Sequence, residues 1–159
     1  MKLDYLRDFR DEFAGYTELR LQENTNIYLR LLNGDLVDNY KKTAGGVSAR
    51  VYKDGVFGFA SSPLIDKGNV REVIKKSGEN AVLLAGMERL NKGNLAEEGH
   101  EIIKDFSTTR PRASRKEMIE FLQELYDYTV RKYSDIKAST FVLNSLDMEK
   151  NLVTSFDTY

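Results

Sequence analysis

The sequence predicts an α+β fold: an antiparallel sheet of about five to seven strands with helices packed mainly on one face. Two observations predict this class. The dipeptides Asn33-Gly34 and Asp54-Gly55 each lie between runs of alternating apolar and polar residues, which is the strongest short-range signal for a β-hairpin. Two later segments, 69–90 and the segment from Ser114 onward, place apolar residues at helical spacing.

Alternation of apolar and polar residues marks the predicted strands. These strands are 16–22, 27–32, 36–40, 47–52, 56–60, 137–146 and 151–156. Gly45-Gly46 falls in a predicted loop, 43–46, and is interpreted as a hinge or tight turn. A phosphate-binding loop is excluded there, because a strand follows where such a loop requires a helix. Residues 147–150 are predicted to join the last two strands.

Three helices are predicted, over 3–14, over 69–90 and from Ser114 onward. The first stops at Gly15, a residue type that favours helix ends. The second contains Gly78, where an interior glycine weakens the helix and allows a break. The third begins with Ser114-Arg115-Lys116-Glu117, which matches a capping box. Residues 101–106 are predicted to form a short strand or an extended segment.

Length and composition indicate a globular protein of one domain, predicted to span all 159 residues. The formal net charge of -1 leaves no basic excess for a nucleic-acid partner. No apolar run approaches the ~20 residues of a membrane-spanning helix, and the charged first residues are unlike a signal peptide. We therefore expect a cytoplasmic protein that binds neither nucleic acid nor membranes.

The scarcity of metal ligands restricts the chemistry of this chain. A catalytic zinc needs three protein ligands, chiefly histidine, but the chain has one histidine, His100, and no cysteine. His100-Glu101 is like the start of a metallopeptidase helix, yet neither Lys104 nor Asp105 supplies the second histidine one turn later. A loop that leads into a strand fits His100 better. The sequence therefore predicts no catalytic and no metal-ligating residue.

Four segments together resemble the start of the TldD/PmbA family of zinc metallopeptidases. They are GYTELRLQE at 15–23, NG at 33–34, GGVSARVY at 45–52 and KDGVFGFAS at 53–61. The order and spacing of the glycines, the arginine and the alternating apolar residues carry the resemblance. The later helices and the segment NLVTS at 151–155 follow in the order found in the family.

The resemblance implies that this chain is the amino-terminal, non-catalytic domain of a longer peptidase that cleaves unfolded or flexible peptides. It also implies zinc in the full-length protein, held by a histidine-glutamate-x-x-x-histidine helix of the carboxy-terminal half, to which no residue here corresponds. The implied partners are a peptide substrate and a related or identical subunit, and the implied role is in the peptide cavity or the subunit interface. Two other functions stay open: a stand-alone protein-binding or scaffold domain, and part of a metal-free partner subunit.

The hairpin around its turn dipeptide contains the candidate contact residues: Arg50, Tyr52, Asp54, Gly55, Phe57 and Phe59. In one hypothesis this hairpin projects toward a peptide channel or a partner subunit, with the arginine and the aromatic side chains as anchors. In the other, Phe57 and Phe59 share one sheet face and pack under the helices. Alternate residues of a strand share a face, which favours the second hypothesis.

Overall fold

A computed structural model describes residues 2–87, 95, 102–107 and 109–156. In these residues it contains four strands, three α-helices and a 3-10 turn at Arg10–Glu12. In chain order the elements are α1 Lys2–Arg7, β1 Tyr16–Leu32, β2 Asp35–Lys53, β3 Val56–Ser62, α2 Lys67–Met87, α3 Arg115–Lys132 and β4 Thr140–Thr154. The strands form one antiparallel sheet in the order β3-β2-β1-β4, which confirms the predicted α+β class.

The predicted number of strands is wrong, because three expected breaks lie inside continuous strands. Residues 23–26 are part of β1, residues 41–46 are part of β2, and residues 147–150 are part of β4. Seven short predicted strands thus become four, three of them long. A strand ends where its backbone pairing ends, and polar side chains do not interrupt that pairing.

The unbroken course of β1 agrees with the phase of its apolar residues. Thr17, Leu19 and Leu21 are buried in its first half and Leu29 and Leu31 in its second, all at odd positions. A loop between two separate strands would have no reason to preserve this phase. At the expected break, the Thr25 hydroxyl lies 2.9 Å from that of Thr43 on β2, so polar contacts replace apolar ones across the sheet.

Gly45 and Gly46, predicted to form a hinge or tight turn, lie within β2 and allow close approach between strands. A Cβ atom on Gly45 would lie 2.7 Å from the carbonyl oxygen of Gln22. A Cβ atom on Gly46 would lie 2.5 Å from the carbonyl oxygen of Ser62. Real Cβ atoms do not approach backbone so closely, so these positions require glycine for reasons of space.

The chain divides into two compact units. The first comprises Met1–Glu23, Ala44–Lys104 and Met148–Tyr159, and the second comprises Asn24–Thr43 and Asp105–Asp147. In the first, the helices α1 and α2 contribute to a core with one face of β1 and β2. Its buried apolar residues are Leu6, Phe9, Leu19, Leu21, Val47, Ala49, Val70, Val73, Ile74 and Val153.

The second unit has a smaller core, in which α3 packs on β1. Leu122 of α3 is buried with Leu29 and Leu31. Partly buried side chains complete this cluster: Ile27, Met118, Ile119, Tyr126, Phe141 and Leu143. The β1–β2 turn lies against the same helix, since a Cβ atom on Gly34 would lie 2.6 Å from the Tyr126 ring.

The helices agree in part with their predicted bounds. The predicted helix 3–14 ends at Arg7 and gives way to the 3-10 turn, although Leu6 and Phe9 reach the core as their spacing predicts. The helix α2 continues through Gly78 without a break. Its predicted end at 88–90 and the predicted stop at 91–94 lie outside the described residues.

The start of α3 is confirmed in detail. The Ser114 hydroxyl oxygen accepts from the Glu117 backbone N–H at 3.2 Å, and a Glu117 carboxylate oxygen accepts from the Ser114 N–H at 2.6 Å. Each side chain thereby satisfies a backbone amide that the helix leaves without an intrahelical acceptor. Residues 102–107 form neither helix nor strand.

Candidate functional site

The turn between β2 and β3 has the backbone that its sequence predicts. Asp54 has φ 49° and Gly55 has φ 96°, so both central residues adopt the left-handed region that a tight two-residue hairpin needs. The two strands pair antiparallel from Lys53 opposite Val56 to Val47 opposite Ser62. The candidate contact residues therefore lie on one rigid hairpin.

The side chains of this hairpin divide between two faces. Val47, Ala49 and Val51 face the core, and Gly58 of β3 lies directly against the α2 backbone. Arg50 pairs with Phe59, and Tyr52 with Phe57, in the alternate positions. Phe57 and Phe59 therefore share one face of the sheet, as predicted, but this face is opposite α2. The hypothesis that they pack under the helices is wrong with respect to α2, and Phe59 is 57% exposed.

We call the sheet surface of the first unit that lies opposite α2 the outer face. It is formed by Tyr16, Glu18, Arg20, Gln22, Ser48, Arg50, Tyr52, Phe57, Phe59 and Ser61.

Arg50 is held at the centre of the outer face by a paired contact with Glu18. Its Nε donates to Glu18 Oε2 at 2.8 Å and its Nη2 donates to Oε1 at 2.7 Å. The Tyr16 hydroxyl donates to the same carboxylate at 2.8 Å. The hydrogen bonding that Arg50 donates to Glu18 is the main cause that raises the pKa of Arg50, so the guanidinium keeps its charge at any physiological pH.

An aromatic cluster surrounds this ion pair. The Arg50 guanidinium carbon lies 4.4 Å from the centre of the Phe57 ring, within cation–π range. Tyr52 and Tyr16 approach the same ring, at centroid distances of 5.0 and 6.3 Å. Phe156, just after β4, extends the cluster at 5.6 Å from Tyr16. The guanidinium of Arg50 and four aromatic rings thus form one contiguous cluster.

The sequence had pointed to Arg50, Tyr52 and Phe57 as candidates but missed Tyr16, Glu18 and Phe156. Tyr16 and Glu18 occupy the polar phase of β1, so their shared face was predictable from alternation. Their contact with Arg50 depends on the register between β1 and β2, which the alternation leaves open. Phe156 lies far away in the sequence, and only the sheet order brings it close.

A cavity of about 320 Å³ opens beside this cluster. It is lined by Arg20, Gln22, Gly45, Gly46, Val47, Ser48, Ser61, Ser62 and Pro63. Arg20 donates a hydrogen bond to the Gln22 side-chain oxygen. Gly45 and Gly46 contribute backbone to the wall of this cavity.

A second cavity, of about 480 Å³, lies where the hairpin meets α2. It is lined by Glu12, Ala14, Gly15, Val51, Tyr52, Lys53, Ile74, Lys75, Gly78, Glu79 and Val82. Its charged residues occur as both signs, and Lys75 already pairs with Glu79 at 3.8 Å. This lining favours no particular charge on a ligand.

The part of the chain that the structure describes does not form a zinc site. Within it, no three histidine, cysteine, aspartate or glutamate side chains are grouped closely enough to hold a metal ion. His100 and Glu101 lie outside the described residues. Among the helices that are described, none is long and apolar enough to cross a membrane.

Residues 17–81 match the profile of the PmbA/TldA metallopeptidase domain 1. This segment runs from β1 into α2 and includes the whole hairpin with Arg50, Tyr52, Phe57 and Phe59. A search of curated proteins found no match.

Solved structures share the fold. One is a proposed modulator of a DNA gyrase from Thermotoga maritima, with TM-score 0.71 and 19% identity over 98% of this chain and 35% of that one. TldE from Thermococcus kodakarensis has TM-score 0.70 and 15% identity over 100% of this chain and 36% of that one. A proposed modulator of DNA gyrase from Bacteroides thetaiotaomicron has TM-score 0.64 and 13% identity over 96% and 36%. The chain thus spans about a third of the length of these proteins.

Proposed function

This chain carries the first domain of the PmbA/TldD family, and we propose that it acts as the non-catalytic accessory domain of a zinc metallopeptidase. In this proposal the zinc and the catalytic residues belong to a further part of a longer protein. The domain contributes a surface to the peptide cavity or to the interface with a related subunit. No step of hydrolysis is assigned to the residues of this chain.

The observation that supports this role is the ordered cluster on the outer face. Arginine and aromatic side chains are the residue types that most often dominate protein-binding energies. Here Arg50 and Phe57 are held in place by Glu18, Tyr16 and Tyr52, so binding would order few further side chains. Phe59 adds an exposed aromatic ring beside them.

The domain assignment depends on the reading frame after Tyr159. The proposal requires a histidine-glutamate-x-x-x-histidine segment downstream. A stop codon there would favour the stand-alone binding domain. A long chain without the two histidines would favour the metal-free partner subunit.

The role of the outer face can be tested by photo-crosslinking in the full-length protein encoded by the gene. A benzophenone amino acid at Phe59 is expected to capture either a flexible peptide substrate or the second subunit, and mass spectrometry identifies which. Leu83 on α2 is a matched control, because its side chain is also 57% exposed. Equal capture from both positions would contradict the proposed role of this face.

A further inference from the structure

The outer face contains two arginines in different electrostatic situations. The guanidinium of Arg50 is neutralised by the carboxylate of Glu18. Arg20, on the same strand as Glu18, is half-buried and donates to the neutral Gln22 side chain. Within the described residues no carboxylate lies within ion-pair distance of Arg20, which leaves its charge without a counter-ion from this part of the protein.

Serine side chains line the same cavity as Arg20. Ser48 of β2 and Ser61 of β3 are directly opposite each other in the strand register, and both line the cavity that Arg20 enters. Neither hydroxyl makes a hydrogen bond to any described protein group. The Ser62 hydroxyl differs, because it accepts from the Leu64 N–H at 3.1 Å. Two donors besides the guanidinium are therefore available to a ligand.

Backbone forms part of the cavity wall. Gly45 and Gly46 of β2 line it, and both positions are too close to the backbone of β1 or β3 for a side chain. The space of about 320 Å³ lies at the lower end of the range of about 300–1,000 Å³ for small-ligand sites. A water molecule occupies about 30 Å³, so a carboxylate-bearing side chain fits easily.

The charge of the cavity lining favours a carboxylate over a phosphate. An arginine fork matches the two oxygens of a carboxylate, and serine hydroxyls donate to any oxygen left over. Among the described residues that line the cavity, Arg20 is the one cationic side chain, and none is aspartate or glutamate. A single positive charge balances a carboxylate, whereas a phosphate dianion would keep an excess negative charge.

We propose that the Arg20 cavity is a binding site for the carboxylate of an acidic peptide, supplied by a glutamate or aspartate side chain. Its place on the outer face beside Phe57 and Phe59 lets neighbouring residues of the same peptide contact the aromatic cluster. The identification of a peptide as the source of the carboxylate rests on the proposed function. The inference that the cavity binds a carboxylate does not depend on the proposed function.

The direct test is an NMR titration of the 159-residue chain with two capped peptides that differ at one position. The probes are acetyl-Ala-Ser-Glu-Ser-Ala-amide and the same peptide with glutamine in place of glutamate. The glutamate peptide is expected to shift the amide signals of Ser48 and Ser61 and the Nε signal of Arg20. The glutamine peptide should bind about tenfold more weakly, since it loses a charge-assisted hydrogen bond. Equal shifts with both peptides would overturn the proposal.

Three variants assign the binding to the named groups. Arg20→Gln is expected to weaken binding of the glutamate peptide about tenfold, and Arg20→Lys less, because lysine keeps the charge but loses the fork. The double change Ser48→Ala with Ser61→Ala should weaken it without altering charge. Arg131→Gln on α3 removes the same charge from a helix of the second unit, where the Arg131 Nε donates to the Asp127 carbonyl, and should leave the affinity unchanged.

The outcomes separate the two proposals. If the Arg20→Gln variant does not fold, the comparison of the two peptides on the unchanged chain still tests whether the cavity binds a carboxylate. A second titration uses inorganic phosphate. If phosphate shifts the same signals as strongly as the glutamate peptide does, the proposed selectivity for a carboxylate is wrong. Binding of the glutamate peptide is measured without zinc or hydrolysis, so it can succeed even if the downstream metal motif is absent, and it can fail while that motif is present.

Discussion

At the residue scale, Gly58 sets the distance between the sheet and α2. A Cβ atom there would lie 2.1 Å from both the Ala81 nitrogen and the Ser77 carbonyl oxygen. These are backbone atoms of a helix, so they cannot swing aside as a flexible side chain would. Nearby, the Asn80 amide donates to the Phe59 carbonyl at 2.9 Å and ties the same two elements together.

Replacing Gly58 by alanine is therefore expected to destabilise the protein. Overpacking of a well-packed contact typically costs about 1–3 kcal/mol, and a clash with helix backbone belongs at the upper end. Gly78→Ala is the matched control, since its Cβ would meet nothing within 4 Å. That change should stabilise α2 by up to about 1 kcal/mol, because alanine favours the helix interior. Urea unfolding midpoints measure both, and similar midpoints for the two variants would refute the contact.

Residue-level prediction from the sequence succeeded for the buried phase of the strands and failed for contacts across them. Leu19 and Leu21 were predictable as core residues because alternation fixes which face a side chain occupies. The pairing of Arg50 with Glu18 was not, because two residues 32 positions apart meet only in one register of β1 with β2. Gly58 carried no local signal of the helix that passes over it.

At the element scale, the capping box makes the start of α3 sensitive to pH. The pKa of the Glu117 carboxyl group is lowered below its ordinary value of 4.5. The main cause is hydrogen bonding with the Ser114 side chain, and the second is hydrogen bonding with the Ser114 backbone. A carboxyl group whose pKa is lower in the folded protein contributes stability above its unfolded pKa. That contribution is lost as the pH falls through the lowered folded value.

Glu117→Gln is therefore expected to make the unfolding free energy less dependent on pH on the acid side of neutrality. Ser114→Ala should lower stability at neutral pH by about 1 kcal/mol, as is typical for loss of a helix cap. Glu120→Gln is the control, because Glu120 lies on the same helix beyond the first turn and pairs with exposed Lys116. Thermal unfolding from pH 3 to pH 7 gives the comparison. An unchanged acid slope in Glu117→Gln would contradict the role of the cap.

The continuous course of β1 predicts slow hydrogen exchange where the sequence indicated a break. The amides of 23–26 belong to the strand, with β2 and β4 as its neighbours. Those that donate to a neighbouring strand should be protected to a degree similar to the amides near Leu21 and Leu29. Arg112 and Ala113, which precede α3 and lie outside helix and strand, provide the reference for fast exchange. Uniformly fast exchange over 23–26 would show two separate strands.

At the scale of the whole molecule, the predicted breaks have a physical meaning, although they are not strand ends. Within the strands, the chain passes between the two compact units after Glu23, Thr43 and Asp147, and each of these points lies within or beside a predicted break. A fourth passage, after Lys104, lies outside the strands. A strand residue at the boundary between the two units belongs to neither hydrophobic core, so its side chain does not have to be apolar. The sequence therefore showed the limits of the cores. It did not show that the strands continue, because polar residues in a long strand are locally indistinguishable from a loop.

In the function proposed above, this chain takes part in peptide binding without hydrolysing peptides. The most direct test incubates the purified 159-residue chain with an unstructured acidic peptide, with added zinc and with a chelator, and follows the peptide by mass spectrometry. Recovery of the intact peptide under both conditions, with binding to the outer face retained, is the predicted result. Fragments that form with zinc and disappear with the chelator would show a catalytic centre within this chain and rule out a non-catalytic role.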